Sequence, residues 1–138
     1  VLFACSMNRV RSPMAAGLMR ARLPGRVFVD SCGVDPAEGL DPFVVAVMAE
    51  RAIDLSHERP KTFEAAGADG FDLIVCLTKE ARRRAEQIAK VSAVALEYWP
   101  VEDPTLEGGG RQQRLEAYRR VRDLLESKIA DRFGGPRP

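Results

Sequence analysis

Val1-Leu2-Phe3-Ala4-Cys5-Ser6-Met7-Asn8-Arg9-Val10-Arg11-Ser12-Pro13 sets the architecture of this chain. Residues 1–4 are apolar, Cys5 follows at once, and Arg11 stands six residues further on, directly ahead of Ser-Pro and a helical pattern. That order predicts a buried strand, a short loop, and a helix over 13–23 with Ser12 as its cap and Pro13 at its first position. A helix start and curled loop amides present N–H groups to an oxyanion. Arg11 can grip two phosphoryl oxygens with its planar fork. The same positive field favours a thiolate at Cys5. The stretch therefore reads as a device for holding a phosphate against a sulfur. Cys5 is the nucleophile, and Ser6, Met7, Asn8, Arg9, Val10, Arg11 and Ser12 form the phosphate cradle.

Spacing alone does not carry this reading, because the chain contains a control. Cys76 and Arg82 repeat the interval in Cys76-Leu77-Thr78-Lys79-Glu80-Ala81-Arg82. That copy lacks the Asn and the Ser-Pro, and its Glu80 would repel a phosphate. Its helix is expected to begin near Thr78, which turns Arg82 away along a helix face.

Outward from the first loop the pattern alternates. Residues 27–32 read as a second strand, 33–41 as a loop, and 42–52 as a helix with Phe43, Val44, Val47 and Met48 on one face. A short helix is expected over 62–68, then an apolar, β-branched central strand over 71–77. A helix over 79–90 and a fourth strand over 91–96 follow. Three glycines at 108–110 precede a long amphipathic helix with Leu115, Tyr118, Val121, Leu125 and Ile129 inward. Strands alternating with helices imply parallel pairing, with helices covering both faces. In such sheets ligands bind beyond the carboxyl ends of the strands, which is the edge the Cys5 loop leaves.

The 138 residues read as a single domain, residues 1–138, with only the tail from 134 to 138 frayed. A formal charge of +1 does not suggest a nucleic-acid platform, and the arginines at 82–84 and 119–122 read as solvated helix faces. No apolar run is long enough for a membrane span and no signal-peptide pattern opens the chain. Three unevenly spaced cysteines and one histidine, His57, form neither a disulfide framework nor a metal set. His57 reads as a turn residue. A cytoplasmic setting, no metal and no cofactor are expected.

Phosphate-ester chemistry at a cysteine needs an acid for the leaving oxygen. Tyr98-Trp99-Pro100-Val101-Glu102-Asp103-Pro104 leaves the fourth strand toward the same edge. Pro104 restricts Asp103 to an extended conformation, so Asp103 is the expected acid, with Glu102 as the substitute. Asp-Pro also initiates turns. Glu97, Tyr98 and Trp99 either line the pocket or pack against the last helix.

Residues 1–14 resemble the opening of the low-molecular-weight protein tyrosine phosphatases, and the resemblance runs nearly end to end. Asp30-Ser31-Cys32-Gly33-Val34, Ile53-Asp54-Leu55-Ser56-His57, Phe71-Asp72-Leu73-Ile74-Val75-Cys76 and Asp103-Pro104 match its later motifs. The resemblance implies a flavodoxin-like three-layer α/β/α fold with a four-stranded parallel sheet, and a metal-free route through phosphocysteine. It further implies that Arg11 clamps the transition state, that Ser12 keeps the thiolate ionised, that Asn8 holds the loop through Ser31, and that Asp103 is the acid and then the base. The substrate would be a phosphotyrosine protein or a small aryl phosphate, and the product inorganic phosphate.

Four positions depart from the family. Met7 replaces a usual glycine and would strain the loop or narrow its mouth. Val10 replaces a frequent second cysteine, which removes a protective disulfide. Cys32 and Cys76 read as core cysteines. Thr105-Leu106 replaces lid aromatics. Arg9 either sits at the pocket mouth, favouring an acidic substrate, or lies on the outer rim paired with a carboxylate. Two rival readings remain. A phosphatase-like arsenate reductase would use the same loop but normally relays electrons through further cysteines. A catalytically degenerate anion- or phosphoprotein-binding module would keep the cradle without turnover.

Overall fold

Leu2–Cys5 forms strand β1, and all four side chains are buried, as in a strand covered on both faces. The computed structural model describes residues 1–134. After β1 come α1 (Arg11–Arg22), β2 (Asp30–Gly33), α2 (Pro42–Ala49), α3 (Phe63–Ala66), β3 (Leu73–Cys76), α4 (Lys79–Ala89), β4 (Ala95–Tyr98) and α5 (Arg111–Phe133). Single 3₁₀ turns occupy Ala68–Gly70 and Pro104–Leu106. Among the described residues the strands form one parallel sheet of order β2-β1-β3-β4. This is the flavodoxin-like three-layer arrangement that the motifs imply.

Strand alternation sorts the core into two halves. Phe3, Cys5 and Val75 pack with α1, α2 and α5, while Leu2, Ala4, Cys32, Ile74 and Cys76 pack with α3 and α4. The stripe expected on the last helix is real: Leu115, Tyr118, Val121, Leu125 and Ile129 are all buried. Each such side chain removed from water stabilises the fold by about 1.5–3 kcal/mol. Gly17 lets α1 approach closely, since a Cβ there would meet Leu55, Met48 and Ile53 at 3.1–3.3 Å.

Several boundaries differ from the sequence reading. Helix α1 begins at Arg11, Val10 holds the cap position without a side-chain bond, and Ser12 and Pro13 lie inside the first turn. The Ser12 hydroxyl is engaged elsewhere. Strand β2 starts at Asp30 rather than 27, because Arg20 Nε and Nη2 take the Val29 carbonyl at 3.2 and 2.9 Å. Strand β4 runs Ala95–Tyr98 rather than 91–96. The chain after α4 first closes a turn on the Ile88 carbonyl, through Val91 N at 3.1 Å and Ser92 Oγ at 2.7 Å, and leaves Val91 87% exposed. Arg122 is buried rather than solvated. Its Nη1 donates to the Val47 carbonyl at 2.8 Å and to Glu50 at 2.7 Å. Of the expected tail only Gly134 lies within the described residues.

Candidate active site

The sheet order reverses between β1 and β3, and a cleft of about 560 Å³ opens there, beyond the strand ends. Cys5, the last residue of β1, lies at its floor and is 2% exposed. The loop after it is shaped from outside. The carbonyls of Cys5, Ser6, Met7 and Arg9 accept from the N–H groups of Val34, Asp35, Ala37 and Asp41 at 2.8–3.2 Å. A trans peptide sets its N–H opposite its carbonyl, so the amides that follow these carbonyls turn away from that segment, toward the cleft. Gly33 is what permits the approach. A Cβ there would lie 2.6 Å from Asn8 N and 2.9 Å from the Met7 carbonyl carbon.

Asn8 is the internal support. It is completely buried and adopts the left-handed region, φ 49°, which Asn tolerates better than most residues. Its Nδ2 donates to Ser12 Oγ at 2.8 Å and Ser31 Oγ at 2.9 Å, and its Oδ1 accepts from Lys61 N at 2.9 Å. Ser12 Oγ stands 2.9 Å from Cys5 Sγ and also reaches the Cys32 carbonyl at 3.2 Å. With Asn8 donating to it, the Ser12 hydroxyl can direct its own hydrogen to the sulfur. This is why it does not cap the helix.

Arg11 opens α1 and reaches across to the 98–105 segment. Its Nη1 donates to the Val101 carbonyl at 2.9 Å, and its Nη2 lies 3.9 Å from Asp103 Oδ2. Asp103 initiates a turn and also faces the cleft. Oδ1 accepts from Thr105 N at 2.9 Å and Thr105 Oγ1 at 2.7 Å, nucleating the turn Pro104–Leu106. Oδ2 remains on the Arg11 side, and Asp103 lines the cleft with Cys5 and Arg11. Glu102 lines it too.

A family model of the low molecular weight phosphotyrosine protein phosphatases matches residues 1–133. The chain belongs to this family. A probable low molecular weight protein-tyrosine-phosphatase EpsP from Ralstonia solanacearum is 34% identical over 112 residues, covering 75% of this chain and 77% of its own. A glutaredoxin arsenate reductase from Synechocystis sp. is 30% identical over 129 residues, covering 94% and 92%. The low molecular weight protein tyrosine phosphatase from T. tengcongensis superimposes with a TM-score of 0.77 at 27% identity, covering 93% of this chain and 92% of that one.

Within this low molecular weight phosphatase frame, the departures noted in the sequence resolve in different ways. Met7 does not strain the loop, because among its residues only Asn8 has a positive φ. Met7 instead stands 47% exposed on the cleft wall. Arg9 also lines the cleft, and among the described residues no carboxylate lies within ion-pair distance of it, so its place is the mouth rather than a paired rim. Cys32 and Cys76 flank Ala4 in the ladder and share its face, the one opposite to Cys5. Burial pushes both thiols up, Cys76 to about 12.

The sequence reading missed one wall. Thr78, Lys79 and Glu80, the tail of the decoy motif, line the cleft. Ser6 Oγ donates toward Thr78 Oγ1 at 3.2 Å and Glu80 Oε2 at 3.4 Å. The signal was present, since Thr78 follows a central strand and caps α4 through Ala81 N. Arg82 turns away and lies 4.3 Å over the Tyr98 ring. Tyr98 lines the cleft, whereas Trp99 packs on Phe3 and Phe133, and Glu97 pairs with Arg132. His57 is exposed, with Asp54 4.0 Å away, and does not line the cleft. Among the described residues no three His, Cys, Asp or Glu side chains are grouped to hold a metal ion, and no helix is long and apolar enough to cross a membrane.

Proposed function

We propose that this chain is a metal-independent phosphomonoester hydrolase, a protein tyrosine phosphatase acting through phosphocysteine. The observation that carries this is the Cys5 sulfur on the floor of an amide-lined loop, 2.9 Å from Ser12 Oγ, with Arg11 and Asp103 facing each other above it. The Cys5 thiolate attacks phosphorus, the P–O bond to the leaving group breaks, and Asp103 gives that oxygen its proton. Loop amides and the Arg11 fork carry the charge on the equatorial oxygens. Arg11 would have to exchange its bond to the Val101 carbonyl for the substrate. In the second step water attacks phosphorus, Asp103 takes its proton, and the P–S bond breaks to release inorganic phosphate and the thiolate. Substrates would be a phosphotyrosine protein or a small aryl phosphate in the cytoplasm, with no nucleic acid and no membrane involved.

The test is hydrolysis of para-nitrophenyl phosphate in EDTA with fresh reductant, for wild type beside Cys5→Ser. Turnover without metal that vanishes in the variant is expected. No turnover by folded wild type would sink the reading and leave the anion- or phosphoprotein-binding module. A second enzymatic reading, arsenate reduction, is favoured by the several relatives named arsenate reductase. Its two electrons would come from two thiols oxidised to a disulfide, Cys5 with an external thiol and then a second external thiol to regenerate Cys5, since Cys32 and Cys76 lie across the sheet from Cys5. Arsenate-dependent oxidation of thioredoxin or glutathione would identify it.

A further inference from the structure

Most arginines near this fold's charged surfaces are paired. Arg20 meets Glu58, Arg51 meets Asp123, and Arg119 and Arg122 share Glu50. On one side of the cleft three are not: among the described residues, Arg9, Arg111 and Arg114 have no carboxylate at ion-pair distance. Two of them lie against one ring instead, and the Arg9 carbonyl accepts from the N–H of Asp41, whose carboxylate accepts from Phe43 N and Tyr118 OH. The guanidinium carbons of Arg111 and Arg114 lie 5.3 and 4.7 Å from the Phe43 centroid. Phe43 meets Tyr118 edge-on at 5.3 Å, and both Arg9 and Arg114 act electrostatically on the Tyr118 phenol.

Asp41, held between Phe43 and Tyr118, is not at ion-pair distance from any of the three among the described residues. Asp41 is buried, its Oδ1 accepting from Phe43 N at 2.9 Å and its Oδ2 from Tyr118 OH at 2.6 Å. The position is also unfavourable for the helix. The first turn of α5 holds no acid and two arginines, at the end where the helix dipole is positive. Arg9 lines the cleft itself, so the strip runs from α5 to the cleft mouth. Glu80 lines the cleft beside Ser6 and Thr78 and would repel an anionic segment laid on that wall.

We propose that Arg9, Arg111 and Arg114 form a docking strip for an acidic segment adjoining the phosphorylated residue of a protein substrate, a specificity that rests on the phosphatase reading above. Arginine forks suit carboxylates, and alternate side chains of an extended chain share one face, so every second acid would be turned to the strip.

The test compares two phosphotyrosine peptides that differ only in carrying glutamates or glutamines beside the phosphotyrosine. Wild type should prefer the acidic peptide about tenfold in kcat/KM at low salt, and lose the preference in about 0.5 M NaCl, where exposed charges are screened. Arg111→Gln with Arg114→Gln should reduce the preference to about twofold while leaving para-nitrophenyl phosphate hydrolysis unchanged. Equal kcat/KM for the two peptides in wild type, or an undiminished preference in the double variant, overturns the strip. If wild type hydrolyses none of the three substrates, the phosphatase reading has failed instead. The strip is then judged by fluorescence anisotropy of the same peptides. Tighter acidic binding that depends on Arg111 and Arg114 supports it, and equal binding overturns it.

Discussion

Asn8 and Gly33 show how much of a site can rest on what holds a loop in place. Asn8 joins the Cys5 loop to Ser12, Ser31 and Lys61, so one side chain ties the loop to α1, to β2 and to the strap after α2. Gly33 supports the same loop by having no side chain. Gly33→Ala would place a methyl 2.6 Å from backbone, where no flexible side-chain end can yield. The loop must then shift, and misplacing a nucleophile by a fraction of an ångström is costly. Para-nitrophenyl phosphate turnover should fall about a hundredfold, with Cys5, Arg11 and Asp103 all intact. A variant with unchanged kcat and a wild-type fold would refute the clamp. The meeting of Cys5 and Arg11 at one cleft was legible in the sequence because a strand end, a loop and a helix start are local signals, whereas the Ser12 bond to the sulfur was legible only as a family expectation. The Asn8–Ser31 bond was legible only as a family expectation, since 23 residues separate the partners.

At the scale of elements, α2 and α5 lock together on one face of the sheet. The C-terminal end of α2 is fastened to α5 through Glu50, which takes Arg119 and the buried Arg122. Hydrogen bonds from these two guanidiniums hold the Glu50 carboxyl down at about 2, from its ordinary 4.5. A depressed folded value means that this contribution is present above about pH 4.5 and is lost as pH falls toward 2. Glu50 is 38% exposed, so solvent screening reduces the contribution to about 1 kcal/mol. Urea denaturation should show Glu50→Gln less stable by about that amount at pH 7. The gap should narrow as pH falls below 4.5, and a gap that does not vary with pH would contradict the assignment. The 119–122 segment was expected on a solvated face, and for Arg119 the exposed pairing is close to that. Arg122 was illegible because a buried arginine follows from a partner carbonyl, Val47, 75 residues away.

For the molecule as a whole, strand alternation also decides its redox behaviour. Cys5 belongs to the α1–α2–α5 half of the core, while Cys32 and Cys76 belong to the α3–α4 half, with burial raising both thiols. Peroxide should therefore carry Cys5 through sulfenic to sulfinic and sulfonic acid without an internal disulfide. Mass spectrometry of the peroxide-treated protein should find added oxygens on the Cys5 peptide, and activity that reductant restores only in part. A Cys5–Cys32 or Cys5–Cys76 linkage would show that the sheet opens.

The sequence by itself determined the alternating βα order, the parallel sheet, the inward stripe of α5 and the cysteine loop, because each depends on neighbours within a few turns of chain. It misplaced Ser12 as a cap and set β4 four residues early, because capping and ladder pairing depend on which distant groups compete for a hydroxyl or a carbonyl. Only the tertiary structure decided that Thr78, Lys79 and Glu80 wall the cleft, that Asp103 faces Arg11, and that Arg9 lines the cleft. Those meetings follow from sheet order, which brings the ends of β1, β3 and β4 to one edge, and no local pattern encodes them.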